Sequence, residues 1–119
     1  VALRLACAGF AVLFLFAAAV QWNDPDPVRW TLGYGAVAAV SAAVAFGARP
    51  RIAAAIVFAG VLVAFALWAP SLRHATPDAL RSFGMSGAVE EEEVREAIGL
   101  GLATAWMALL LAALFRGER

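Results

Sequence analysis

The chain has 119 residues, 64% of them hydrophobic and 15% charged, with a formal net charge of zero and a mean hydropathy of +0.83. A water-soluble domain of this size needs more polar surface than such a composition supplies, so lipid is the expected solvent for most of it. The absence of lysine and of net charge argues against a nucleic-acid partner, and the single cysteine, Cys7, excludes an internal disulfide or a multi-cysteine metal site.

The first long apolar run is Leu5 to Trp22, which spans about 27 Å at helical rise and can cross a bilayer core. Ala17-Ala18-Ala19 resembles the small-residue cleavage site of a signal peptide, but the residues that follow lead into another span, so a retained helix is the better reading. The chain starts at Val1 rather than methionine, and further N-terminal residues are expected ahead of it. Cys7 follows Arg4-Leu5-Ala6, with arginine where a lipoprotein signal wants an apolar residue, and reads as a small core residue.

Next comes Gln21-Trp22-Asn23-Asp24-Pro25-Asp26-Pro27-Val28-Arg29-Trp30. Each proline removes a backbone donor, fixes φ and biases the aspartate before it away from helix, so the first helix is expected to stop near Trp22. Asp26 then reads as an N-cap, with Pro27 the first residue of a second helix. That second span runs from Val28 to Phe46. Trp30 and Tyr34 are four apart and share a face, while Gly33, Gly35 and Ala39 leave room for a neighbouring helix. Gly47-Ala48-Arg49-Pro50-Arg51 is a tight turn. Ile52 to Ala69 is the third span, closed by Trp68 and Pro70.

The long connection covers residues 70–96. Within it Thr76 reads as an N-cap, Pro77 as a first helical residue and Gly84 as a stop. Leu80 and Phe83 give that short helix a face for the membrane interface. After a break at Met85 to Gly87, the carboxylates of Glu90 to Glu93 suit the positive end of a helix dipole. They open a helix that continues into the fourth span, Ala97 to Phe115. The expected fold class is thus an all-α integral membrane protein. Residues 1–119 form one domain, with four transmembrane helices at about 5–22, 28–46, 52–69 and 97–115 and the short interfacial helix between spans three and four. Both termini then lie on one side, with Arg4, Arg49, Arg51, Arg116 and Arg119; the other side holds Arg29, Arg73, Arg81 and Arg95 together with eight of the nine acids. Five basic residues against four, and their density in short segments, favour cytoplasmic termini in a bacterial inner membrane, with the acidic turn facing outward.

Apart from Arg29 at the mouth of the second, the spans hold no ionisable side chain except that of Cys7 and of Tyr34. That argues against transport or proton conduction, for which buried charges are the usual mark. Thr31, Ser41 and Thr104 can bond to their own helix backbone. No nucleophile motif or phosphate loop is present, so no catalytic residue is assigned, and the lone His74 makes no metal site. Asp24, Asp26 and the Glu90–Glu96 group can converge on the outer face as paired carboxylates or a cation site. The plainer reading, preferred here, is a helix cap and a solvated helix start. Trp22, Trp30 and Trp68 read as an aromatic belt, with Tyr34 one turn deeper. Trp106 lies in the middle of the fourth span, where its N–H must find a carbonyl or hydroxyl on another helix unless the ring lines a bound apolar cofactor. Phe10, Phe14 and Phe16 read as lipid-facing or as partner contacts. No cofactor is predicted; a contact to a bound lipid or pigment stays open.

Gln21-x-Asn23-Asp24-Pro25-Asp26-Pro27, followed by Trp30 and Tyr34, resembles the signature of the transmembrane protein 220 family of small bacterial and eukaryotic proteins. Glu92-x-x-Arg95-Glu96 ahead of the last span resembles that family's second common feature. With the four-span layout the resemblance covers nearly the whole chain. The Asn-Asp-Pro-Asp-Pro core is its specific part, and the departure is an alanine-rich chain without lysine. The resemblance implies a fold and no established reaction, cofactor or substrate. It also implies that the turn and the glutamate-rich entry belong to one site. The binding candidates are therefore Asn23, Asp24, Asp26, Trp30, Tyr34, Glu92, Arg95 and Glu96, with Trp106, Phe10 and Phe14 as candidates for packing on a partner or cofactor. The function expected is that of a non-catalytic accessory or structural subunit, packed by apolar helices into a larger membrane complex, with an energy-converting photosynthetic or respiratory complex as the host considered. The alternative is a small binding or enzymatic module whose outer-face carboxylates hold a cation or a lipid headgroup. Expected partners are membrane lipids and other membrane subunits.

Overall fold

The computed structural model describes residues 2–20, 27–70 and 89–116, with backbone alone at 27 and 89–95. Its helices are α1 (Ala2–Ala19), α2 (Pro27–Ala45), α3 (Arg51–Trp68) and α4 (Val89–Phe115). Each contains a stretch long and apolar enough to cross a membrane, and the chain is a multi-pass membrane protein, all-α in its described residues. α1 begins earlier than Leu5, because nothing in Ala2-Leu3-Arg4 breaks a helix. The aspartate–proline turn at 21–26, the expected interfacial helix at 76–84, Trp22 and His74 lie outside the described residues.

α4 is 27 residues long, about 40 Å at helical rise against a hydrocarbon core of about 30 Å. Its apolar window is Glu96–Phe115, so the opening from Val89 is a continuous extension of the fourth span, as the sequence predicts. Successive helices run antiparallel. α1 pairs with α2 and α3 with α4, while α2 also touches α3 and α4. Of the α2 and α4 spans 39% is buried, against 17% of α1 and 11% of α3, so α1 and α3 turn most of their surface outward. Val37, Val40 and Val44 of α2 meet Leu100, Met107, Leu110 and Leu114 of α4, and Cys7 and Phe14 of α1 close the core. Lipid tails are as apolar as these side chains, so close packing and hydrogen bonds must hold the helices together.

The turn between α2 and α3 is a Schellman motif. Gly47 takes φ +100°, its N–H donates to Val44 O at 2.9 Å, and the Ala48 N–H donates to Ala43 O at 2.9 Å. A positive φ is why glycine stands there. At the same end of the bundle three arginines satisfy helix-terminal carbonyls. Arg4 Nε donates to Ala45 O at 2.8 Å, Arg49 Nη2 to Leu114 O at 2.9 Å and Arg51 Nε to Leu114 O at 3.0 Å. Cations at helix C-termini also complement the dipole. The arginine bias read from the sequence as a topology signal therefore has a second, local cause.

The expected close-approach face of α2 is corrected. Gly33 and Ala39 are exposed and Gly35 is half-buried, and no other chain atom among the described residues lies within 4 Å of a Cβ built at Gly33 or Gly35. The glycines that admit a neighbour are on α4: Gly99 lies against the Tyr34 hydroxyl, and a Cβ at Gly101 would sit 3.1 Å from the Phe65 ring. Large aromatic side chains from α2 and α3 fill the space, rather than a helix backbone.

Candidate functional site

The start of α2, the end of α3 and the start of the α4 span meet at the end of the bundle opposite the arginine caps. Arg29 and Trp30 occupy the first turn of α2, and Tyr34 follows one turn deeper. Trp30 and Trp68 meet edge to face, with centroids 5.5 Å apart and planes at 87°, a favourable quadrupole arrangement. The Arg29 guanidinium carbon lies 5.4 Å from the Trp30 ring centre and 5.0 Å from that of Trp68, within cation–π range of both. Trp68 Nε1 donates to Glu96 Oε1 at 3.1 Å, a charge-assisted bond from α3 to α4.

Trp30 and Tyr34 are only 5% and 7% exposed. That corrects the aromatic-belt reading for Trp30, whose ring is packed between helices against Trp68 and Tyr34. Its Nε1 is buried and has no acceptor among the described residues. From there the rings continue inward. Trp30 and Tyr34 are 6.1 Å apart, Tyr34 and Phe14 6.0 Å, Phe14 and Phe10 6.2 Å, and Phe10 stacks on Trp106 at 4.1 Å with planes 12° apart. Trp106 Nε1 donates to Ser41 Oγ at 2.9 Å, and Ser41 Oγ donates to Val37 O at 2.8 Å. Phe16, by contrast, is 66% exposed. The remaining hydroxyls are also engaged. The Thr104 hydroxyl lies 2.7 Å from Leu100 O and 3.2 Å from Val61 O and shares its single proton between them, and Thr31 Oγ1 reaches Ala18 O on α1 at 3.4 Å rather than its own helix.

Of the binding candidates, Trp30, Tyr34 and Glu96 come together at this end. Asn23, Asp24 and Asp26 lie outside the described residues, as do the side chains of Glu92 and Arg95. Phe10, Phe14 and Trp106 lie inside the bundle, on one another and on Ser41. Arg29 and Trp68 belong to the cluster although sequence reasoning placed one in a charge count and the other in a lipid belt. The available signal was that both flank a helix end at the same membrane face as Trp30. Among the described residues no group of three or more His, Cys, Asp or Glu side chains is placed to hold a metal ion. The chemistry on hand is one cation, one carboxylate, two indoles and a phenol, a set suited to binding a polar group beside apolar surface. No solved structure matches this chain. The profile described as "Transmembrane family 220, helix" matches residues 13–112, a stretch that holds the C-terminal part of α1, all of α2 and α3, most of α4, and the cluster just described. The chain is a four-helix membrane protein that belongs to transmembrane family 220.

Proposed function

We propose that this chain, as a single four-span domain, is a non-catalytic accessory or structural subunit that packs by its apolar helices into a larger membrane complex, an energy-converting one being the host considered. One observation carries the reading: the hydroxyls and the mid-span indole described within the bundle are engaged inside the chain, while α1 and α3 present apolar side chains outward. Leu5, Val12, Leu15 and Phe16 of α1 and Ile52, Ile56, Val63 and Leu67 of α3 are all more than half exposed. A closed interior leaves little for catalysis to act with, and an apolar exterior suits lipid and neighbouring helices alike. Purification from native membranes in mild detergent tests this. A reproducible co-purifying membrane subunit is expected, and a chain that always runs alone refutes the reading. The same proposal places both termini in the cytoplasm of a bacterial inner membrane. A reporter that works only in the cytoplasm should be active after Arg119 and silent after Ser86, and the reverse pattern inverts the orientation.

A second reading, a small module that binds a cation or polar headgroup at its outer-face carboxylates, is favoured by Glu96, which accepts from the Trp68 indole, itself under the Arg29 guanidinium, rather than standing apart in solvent. It requires Asp24, Asp26 and Glu92 or Glu96 to act together. Calorimetry with Mg²⁺ or Ca²⁺ on the wild type and on Asp24→Asn tests it; equal, negligible heats from both remove it.

A further inference from the structure

A groove of about 380 Å³ runs between α2 and α3 below the Arg29–Trp68 cluster. Its walls are Gly33 and Ala36 on one side and Ile56, Gly60 and Ala64 on the other, with Arg29, Trp30 and Trp68 at the mouth. Gly33, Ile56 and Gly60 are exposed, so the groove opens sideways toward the bilayer. From Ile56 to Trp68 it extends about 18 Å at helical rise, which with its volume gives a mean cross-section on the order of 20 Å². That is room for one polymethylene chain. A helix, about 10–12 Å across with side chains, does not fit within it.

The mouth is polar where the groove is not. Trp30 is 95% buried by its 5% exposure, and its indole N–H lacks an acceptor among the described residues, a state that favours any occupant able to bring one. Arg29 brings the positive charge of a guanidinium to the same mouth. We propose that this groove is a phospholipid site: one acyl chain lies along the Gly33/Ala36 and Gly60/Ala64 walls, and phosphate or ester oxygens of the same lipid accept from Trp30 Nε1 and pair with Arg29. The site needs no protein partner and does not use the carboxylates of the second reading, so its fate is separate from both readings above.

Native mass spectrometry of the full chain, released from micelles supplied with phosphatidylglycerol, tests it. One lipid that survives detergent exchange is expected. Gly60→Leu places a side chain where a Cβ meets no other chain atom within 4 Å among the described residues, so it should fill the groove without a clash and abolish retention. Gly33→Leu does the same from the opposite wall and serves if Gly60→Leu fails to fold. Trp30→Phe keeps a ring and deletes the N–H; it should weaken retention about tenfold, equivalent to about 1.4 kcal/mol. Val63→Leu, on an exposed stretch of α3, should change nothing. A wild type that retains no lipid, retention unaffected by both leucine variants, or a co-purifying protein expelled by them in place of lipid would each overturn the proposal.

Discussion

Ser41→Ala is the most informative perturbation of the bundle interior. Ser41 is fully buried and Trp106 is 6% exposed, and their bond at 2.9 Å is the only partner described for the indole N–H. Alanine removes the acceptor, fits the same space and leaves that N–H at a depth where no water replaces it. Orphaning a buried donor costs about 1–3 kcal/mol in water-soluble proteins. Interhelical hydrogen bonds in membranes average nearer 0.6 kcal/mol with a ceiling of about 1.7, because the unfolded reference also finds partners. The structure argues for the upper half of the membrane range, about 1–1.5 kcal/mol, since both residues are enclosed and Phe10 stacks on the indole. Trp106→Phe alone removes the donor together with part of the ring. In that background Ser41 retains only its bond to Val37 O, a back-bond that slightly destabilises helices, so Ser41→Ala becomes neutral or mildly stabilising. Reversible unfolding of the four cycle members in mixed micelles reads the coupling, expected near 1 kcal/mol. Additivity within about 0.3–0.5 kcal/mol would refute the assignment of this bond as an energetic link between α2 and α4.

Gly99→Ala should destabilise by about 1–3 kcal/mol through overpacking, because its Cβ is directed at the Tyr34 hydroxyl. Tyr34→Phe should restore most of that loss in thermal melts, whereas Gly33→Ala and Gly35→Ala should cost nothing. Arg49 and Arg51 both donate to Leu114 O, so either alanine variant alone should lower stability by no more than about 0.5 kcal/mol, while the pair together should lose about 1 kcal/mol or more; equal effects from single and double variants would show that the shared carbonyl is irrelevant. Thr104→Val keeps the side-chain shape and deletes the bond to Val61 O, and should cost about 0.5–1.5 kcal/mol in the same unfolding assay, with Thr104→Ser close to wild type.

The layout was legible from the sequence because it rests on length and hydropathy, which a bilayer constrains strongly. Four apolar stretches, the Gly47 turn and the unbroken entry into α4 all follow from that constraint and from one glycine. The facing of residues was much less legible. In water a polar stripe marks the outside of a helix, but in lipid both faces of α2 are apolar, so nothing separates Trp30 pointing inward from Trp30 in an interfacial belt. The same ambiguity put the close-approach face on Gly33 and Gly35. What decides it is the partner: Tyr34 and Phe65 need space, and Gly99 and Gly101 on α4 supply it. Trp106 was the exception, since a mid-span N–H must have an acceptor and the spans offer few hydroxyls.

α3 brings the remaining observations into one physical picture. It is the least buried span, with Ala54 and Val61 as its buried residues, yet it is tied to α4 at three levels. Arg51 donates to Leu114 O at one end, Thr104 donates to Val61 O in the middle, and Trp68 donates to Glu96 at the other end. Bonds of this kind persist where no water competes for them, so they help to hold a helix that turns most of its surface outward. They all lie on the α4 side. On the α2 side contact is thinner, and there the small residues Gly33, Ala36, Gly60 and Ala64 leave the groove. A helix clipped along one edge and open along the other has unfilled packing surface that lipid can complete. The fixed edge thereby sets the width of the open one, which is why changes at Thr104 should register at the groove as well as in stability.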